Sequence, residues 1–226
     1  MALSYTFSLV FYIAFVAYFI FGIYIISINT KSILNRLFLI LCLALSIWAF
    51  CFSIANSSQD YEAAIFWRRL SSLGWGTVYS VLLHFFLVMT EREKILKKSW
   101  LYILLYLPAM GNIYFFGFSG FARGQYTLIN TAMGWINVSK NAWGDLYFNC
   151  YYVSFTITGL WLLWNWGRKS KDSVKKKQAY LLIASFAMAI ILGTMTDVIV
   201  NKYTSFHVPQ MAPVISLIPT TAILVP

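Results

Sequence analysis

The run Phe66-Trp67-Arg68-Arg69-Leu70-Ser71-Ser72-Leu73-Gly74-Trp75-Gly76 continues through apolar residues to Leu83-His84-Phe85-Phe86-Leu87-Val88-Met89-Thr90, then meets Glu91-Arg92-Glu93-Lys94. Two arginines close one end and a mixed charge cluster closes the other. The apolar interval has about the length that crosses ~30 Å of hydrocarbon at ~1.5 Å per helical residue. Ser72, Gly76, Ser80 and His84 recur every fourth residue. That spacing sets small groups and one histidine along one side of a helix, where a neighbouring helix can come close. The stretch reads as a membrane helix inside a bundle.

The rest of the chain has the same character. Of 226 residues, 60% are hydrophobic and 11% charged, and the mean hydropathy is +0.71. A soluble domain carries about 25% charged residues, so the composition is that of a multi-spanning membrane protein. The net charge of +10 does not point to nucleic acid, because the bases gather in short links between apolar runs, where they act as topology signals. Cys42, Cys51 and Cys150 all lie in apolar runs and form no C-x-x-C pair. They read as small buried hydrophobes, although a Cys51–Cys150 bridge stays open. Two histidines and no His/Cys/carboxylate cluster argue against a metal centre, and nothing in the sequence calls for a cofactor.

An all-α, polytopic bundle follows: six full helices over 5–28, 37–55, 70–90, 99–118, 146–166 and 178–200, and a seventh beginning at 214. Only 214–226 of that last run is present, too short to span, so it is expected to continue past Pro226. Residues 61–70 are expected at the interface ahead of the third helix, with Trp67 at headgroup level. Pro108 lies inside the fourth helix with Asn112 one turn later; a proline frees a carbonyl and kinks a helix, and Asn112 is placed to replace that bond or to face a cavity. The loop over 119–145 holds four glycines around two strand-like runs, 126–129 and 135–138, and reads as a small β-hairpin. On the sixth helix, Ser185, Ala189, Gly193 and Asp197 repeat the four-residue spacing and point to a further partner helix.

The basic residues set an orientation. Links one, three and five hold twelve of them and links two, four and six hold five. By the positive-inside rule the N-terminus and the hairpin face outward and the seventh helix runs to the cytoplasm.

Together with Ile47-Trp48-Ala49, Leu104-Leu105-Tyr106-Leu107-Pro108, Lys176-Lys177-Gln178-Ala179-Tyr180-Leu181-Leu182 and Pro209-Gln210-Met211-Ala212-Pro213, the third-helix run resembles the seven-helix N-terminal sensor region of bacterial histidine kinases. The resemblance covers nearly the whole chain and rests on the order and spacing of these landmarks. It implies a membrane-embedded input domain in the bacterial cytoplasmic membrane, a cytoplasmic output domain in the same parent chain, and work as a homodimer. The output it implies is a histidine kinase, with a diguanylate cyclase as the alternative. One departure is Val78-Tyr79, where similar sequences often carry proline, so a straighter third helix is expected.

Asp197 is the most informative side chain. A carboxylate within a membrane run costs a few kcal/mol unless paired, which makes it a functional candidate. The sequence expects it in an outward-opening pocket, near Arg68 and Arg69, touching a small or lipid-like signal or Arg69 itself; the bland alternative is a structural ion pair or snorkelling. Trp48, Trp75, Tyr147, Tyr151 and Tyr152 are the aromatic candidates to line a pocket for an apolar or lipid-like signal, against ordinary packing and interfacial belts. Trp135 and Trp143 on the outer loop must pack on the bundle, touch lipid or meet a ligand. His84 reads either as an interhelical hydrogen bond or as a titrating switch. The Arg168–Lys177 bases suit anionic membrane lipid, or simply anchor topology. No nucleophile–base pair and no two acids or histidines at one depth appear in 1–226, so no catalytic residue is assigned. A small-molecule transporter is the competing class; against it, no paired internal repeat with matching broken helices is visible. A retinal protein is disfavoured because no lysine lies within a membrane run.

Overall fold

A computed structural model describes residues 2–200 and 207–224. α1 (Ala2–Ile28) is apolar all round and packs one face, Phe11, Ala14 and Tyr18, on α2 (Ile33–Ser57). Ser32 starts α2 by accepting from the Asn35 amide, and the Asn35 side chain reaches back to the carbonyls of Ile25 and Asn29, which fixes the α1–α2 turn. Toward the end of the pair away from that turn, Ser8 and Ser53 exchange hydroxyl-to-carbonyl bonds of 2.7 and 2.9 Å. Such reciprocal bonds satisfy both hydroxyls where lipid offers no partner.

Asp60 caps α3 (Tyr61–Leu70) through the Ala63 amide, and Glu62 in the first turn with Arg68 and Arg69 in the last complement the helix dipole. Ser71 keeps helical dihedrals, φ −59° and ψ −18°, and α4 (Ser72–Met89) follows directly. Residues 61–70 therefore run on into the third helix, and Tyr61–Met89 together are long and apolar enough to count as one candidate span. α4 then runs on through Val78-Tyr79 without a break. After the short α5 (Glu93–Leu96), α6 (Ser99–Gly117) passes through Pro108. Asn112 is fully buried and donates to the Pro108 carbonyl at 3.1 Å.

The short α7 (Ser119–Gln125) leads into the hairpin of β1 (Tyr126–Thr131) and β2 (Gly134–Ser139), antiparallel with Ile129 opposite Ile136. Gly134 has φ +122°, which only glycine adopts freely, and it presses on the Asn56 side chain. The two-stranded sheet forms as the glycines and β-branched residues indicate.

α8 (Ala142–Lys169) starts at an Asn141 cap and α9 (Ser173–Gly193) at an Asp172 cap. A π-helical segment, Thr194–Val200, ends the sixth element. The seventh comprises α10 (Ala212–Ile215) and α11 (Leu217–Leu224). Lys202 and the last two residues of the expected seventh run lie outside the described residues.

Five described helices are long and apolar enough to cross a membrane: Leu3–Ile28, Ile33–Ser57, Tyr61–Met89, Ser99–Gly117 and Ser173–Asp197. α8 has the length, 28 residues, but Asp145, Asn149 and Asn165 within it lower its hydropathy. The main core lies among α1, α2, α4 and the last helices; smaller clusters sit under the hairpin and between α4, α6 and α8. At the end opposite the hairpin, Lys175 pairs with Glu91 at 2.8 Å. The cysteines are free; Cys51 is buried and Cys150 exposed, so the Cys51–Cys150 bridge does not form.

The two four-residue stripes behave differently. Ser72, Gly76, Ser80 and His84 all meet α6: the Ser80 hydroxyl donates to Leu105 O at 2.5 Å, His84 Nδ1 bonds the Tyr106 hydroxyl at 2.8 Å, and Gly76 and Ser72 lie against Asn112 and Gly117. On α9 the stripe meets the seventh element only in part: Asp197 accepts from the Met211 amide at the start of α10, while the positions before it stand off. Ala189, Gly193 and Asp197 line an open space, and Ser185 turns back to its own Leu182 carbonyl.

Candidate functional site

Arg68 is the largest fully buried side chain, 1% exposed. Its guanidinium lies 3.7 Å over the Phe52 ring. It donates to Trp135 O, to Gln210 Oε1 at 3.2 Å and to Asn56 Oδ1 at 3.4 Å. A buried cation is tolerated only when oxygen acceptors and an aromatic face replace its water. Here they come from α2, the hairpin and the segment before α10, so one side chain ties three parts of the fold together. Asn56 Oδ1 also accepts from the Trp135 amide at 3.0 Å, and the Trp135 indole donates to Ser58 O at 2.9 Å.

Asp197 is held by donors of another kind. Its Oδ1 accepts from the Met211 amide at 2.7 Å and the Thr196 hydroxyl at 2.9 Å, and the carboxylate also accepts from the Ala212 amide. These two amides open the first turn of α10, so Asp197 caps the seventh element from the end of the sixth. Arg68 acts on it only through space; among the described residues Lys175–Glu91 is the ion pair within 4 Å.

Between α2, α4, α8, α9 and α10–α11 lies a cavity of about 530 Å³, within the usual range for ligand sites. Arg68, Tyr126, Asn137, Asp145, Asp197 and Gln210 form its polar end beneath the hairpin, while Leu41, Leu45, Leu82, Phe186, Ile190 and Ile223 line its depth. Burial pushes the Tyr126 phenol above its ordinary range, and the Arg69 and Arg68 guanidiniums pull the other way.

Of the residues singled out in the sequence, Asp197, Arg68, Trp48, Trp75 and Tyr152 meet at this cavity. Trp75 also packs edge-on against Phe116 and Phe148, with centroids 5.2 and 5.1 Å away. Arg69 does not line it and faces Tyr126 electrostatically. Trp135 anchors the hairpin instead of lining the space, because its indole and backbone are both engaged from α2 and α3. Trp143 is 79% exposed and stands outside the site. His84 is bonded to Tyr106 and stacked edge-on with Tyr102, which answers to the interhelical reading. Pro108 and Asn112 serve the α4–α6–α8 contact: the Tyr147 hydroxyl donates to Pro108 O at 3.0 Å, and Asn112 bonds the proline's own carbonyl rather than the one the proline frees. Asn56, Asp145 and Gln210 were missed. Asn56 reads as loop in sequence because it opens a polar run, yet it is 0% exposed; only its pairing with a buried arginine reveals it.

Apolar helices with a polar-capped space among them define a polytopic helical membrane protein. The family model of the N-terminal 7TM region of histidine kinase matches residues 7–225, and the chain belongs to that family. Comparison with curated proteins finds no match.

Proposed function

We propose that this region is the input domain of a sensor histidine kinase, and that it detects a small apolar signal in the cavity beneath the hairpin. The observation that carries the reading is the shared wall. Ala212 and Ile215 of the seventh element, with Gln210 just ahead of it, face the same space as Arg68, Trp75 and Asp197. An occupant therefore touches the element that leads toward an output domain. Differential contact in two states is what lets a ligand shift an equilibrium, and Asp197, bonded to the first amides of α10, is the joint through which that shift passes. The distribution of basic residues supports a hairpin facing outward and a seventh helix delivered to the cytoplasm. The family supports a homodimer with the kinase in the same parent chain.

Gly193 offers the direct test. A Cβ built there meets no heavy atom within 4 Å, so Gly193→Phe fills cavity space without a clash at its first atom. In the full-length parent protein, in membrane vesicles, it is expected to change basal autophosphorylation at least threefold, corresponding to roughly 0.7 kcal/mol of bias. An unchanged rate sinks the reading. Asp197→Asn, which keeps one oxygen acceptor for the Met211 amide, is expected to fold and to alter the response to Gly193→Phe. If both stability and signalling are untouched, Asp197 has no part in the relay.

A further inference from the structure

The cavity's lining holds two acids and one base, Asp145, Asp197 and Arg68, and two of these three are already engaged. Arg68 is 1% exposed, lies over Phe52 and donates to Trp135, Gln210 and Asn56. Asp197 accepts from the Met211 and Ala212 amides and the Thr196 hydroxyl. Asp145 differs: among the described residues its carboxylate has neither a hydrogen bond nor an ion pair. An acid in the first turn of α8 complements the helix dipole. Any position of that turn serves the dipole, however, and Trp143, 79% exposed, shows that the turn has an open side. Asp145 instead shares one helical face with Phe148, Asn149, Tyr152 and Thr156, at i, i+3, i+4, i+7 and i+11, and all five line the cavity.

The surroundings narrow what meets this carboxylate. Trp75, Phe116, Tyr126 and Phe148 pack as one aromatic cluster beneath the hairpin and line the same space. Aromatic faces attract an ammonium group, and Asn137 and Ser139 of β2 add neutral oxygen acceptors for its N–H groups. A divalent metal ion fits poorly, because it needs six or more oxygen ligands and no group of three His, Cys, Asp or Glu among the described residues could hold one. An anion would meet the unpaired acid and find Arg68 already engaged. Past the polar end the walls are Leu41, Leu45, Leu82, Phe186, Ile190 and Ile223. A small hydrophilic cation leaves these bare, whereas an alkyl chain covers them.

We infer that the cavity takes a cationic amphiphile, its ammonium head at Asp145 against the Trp75–Phe116–Phe148 cluster and its alkyl chain along the apolar wall. This rests on the cavity being the signal site and adds one positive charge to the apolar body of the signal.

Decylammonium, decanol and decanoate share one chain and differ in the charge of the head. Each is added at equal mole fraction to the full-length parent protein in nanodiscs of zwitterionic phosphatidylcholine, with thermal unfolding as the readout. Decylammonium is expected to raise the melting temperature, as any ligand of the native state does, at roughly tenfold lower concentration than either other probe, the worth of one charge-assisted hydrogen bond. Asp145→Asn is expected to abolish that preference and to keep the unliganded melting temperature within about 2 °C, since the side chain has no partner to lose. Asp145→Lys is expected to pass the preference to decanoate. The ranking of the three probes on the unmodified protein decides the charge whatever the variants' stability. Equal binding of decanol overturns the inference, since charge then plays no part, and a preference for decanoate overturns it by sign. A decylammonium preference that survives Asp145→Asn overturns it as well, because the head then sits elsewhere. Binding of no probe also overturns it. If in that case Gly193→Phe still alters autophosphorylation, only the ligand class is lost; if Gly193→Phe is also silent, the cavity is not the signal site. A preference that follows Asp145 while decylammonium leaves autophosphorylation unchanged upholds the ligand class and removes the cavity's part in signalling.

Discussion

Two stripes of small residues, one on α4 and one on α9, have the same four-residue spacing and opposite surroundings. Ser72, Gly76, Ser80 and His84 are each met by α6, twice through hydrogen bonds. Ala189, Gly193 and Asp197 face a cavity of about 530 Å³. Small side chains permit close approach but do not compel it. Closure on α4 comes from bonds between helices that the α9 stripe does not make to a neighbouring helix's side chains: the Ser80 hydroxyl on the Leu105 carbonyl, the His84 ring nitrogen on the Tyr106 phenol, and the Tyr151 hydroxyl bonded to Ser80 from α8. On α9 the stripe borders residues that α8 and α11 hold at a distance. The first stripe belongs to a fixed frame and the second to a space kept open.

The sharpest way to break this comparison is to enlarge a glycine on each side. On the α2-facing side of α4, next to the stripe, a Cβ at Gly74 collides with the backbone of Ala44 and Trp48, and backbone cannot step aside. Gly74→Val is expected to cost more than the usual 1–3 kcal/mol of overpacking, seen as loss of a monodisperse folded species by size-exclusion chromatography. Gly193→Phe is expected to retain the wild-type melting temperature within about 2 °C; a collapse there means the α9 side is as tightly built as the α4 side.

Arg68 comes next in size. Arg68→Met keeps bulk but removes one donor from each of three acceptors, an expected loss of about 2–3 kcal/mol. Because Trp135 O and Asn56 are among them, the loss is expected to show first in the hairpin, as faster amide exchange across residues 126–139. Uniform loosening of all helices would instead mark Arg68 as a general core group. A smaller effect is expected from Tyr151→Phe, which removes the bonds to Ser80 and Gly76 for about 1 kcal/mol in chemical denaturation. His84→Gln, a change at the half-buried end of the same stripe, is expected to cost less than that, by the same assay.

The helices were readable because length and hydropathy decide them with little help from tertiary contacts: α1, α2, α4 and α6 lie within a few residues of the runs seen in sequence. The hairpin was readable from its glycines. Burial of Arg68 was not, because the acceptors that make it tolerable, Asn56, Trp135 O and Gln210, are 12, 67 and 142 residues away. Helix spacing drew attention to Asp197, but it could not show that the carboxylate would be occupied by the amides of a later helix. The α9 stripe was legible only in part for a related reason: Asp197 meets the start of α10 while Ala189 and Gly193 face open space. Spacing reports which residues share a face, and what that face meets is settled elsewhere in the chain.

The composition of α8 also bears on how the protein is made. α1 has no charged residue from Ala2 to Ile28 and can partition into a bilayer unaided. α8 carries Asp145 in its first turn and asparagines along its length, and it falls short of the apolar spans. Its tyrosines find their partners on helices translated earlier: Tyr147 on Pro108 of α6, Tyr151 on Gly76 and Ser80 of α4. Those acceptors precede α8 in the chain, so α8 is expected to insert less efficiently once α4 and α6 are deleted, as a membrane-insertion assay on the shortened chain would read.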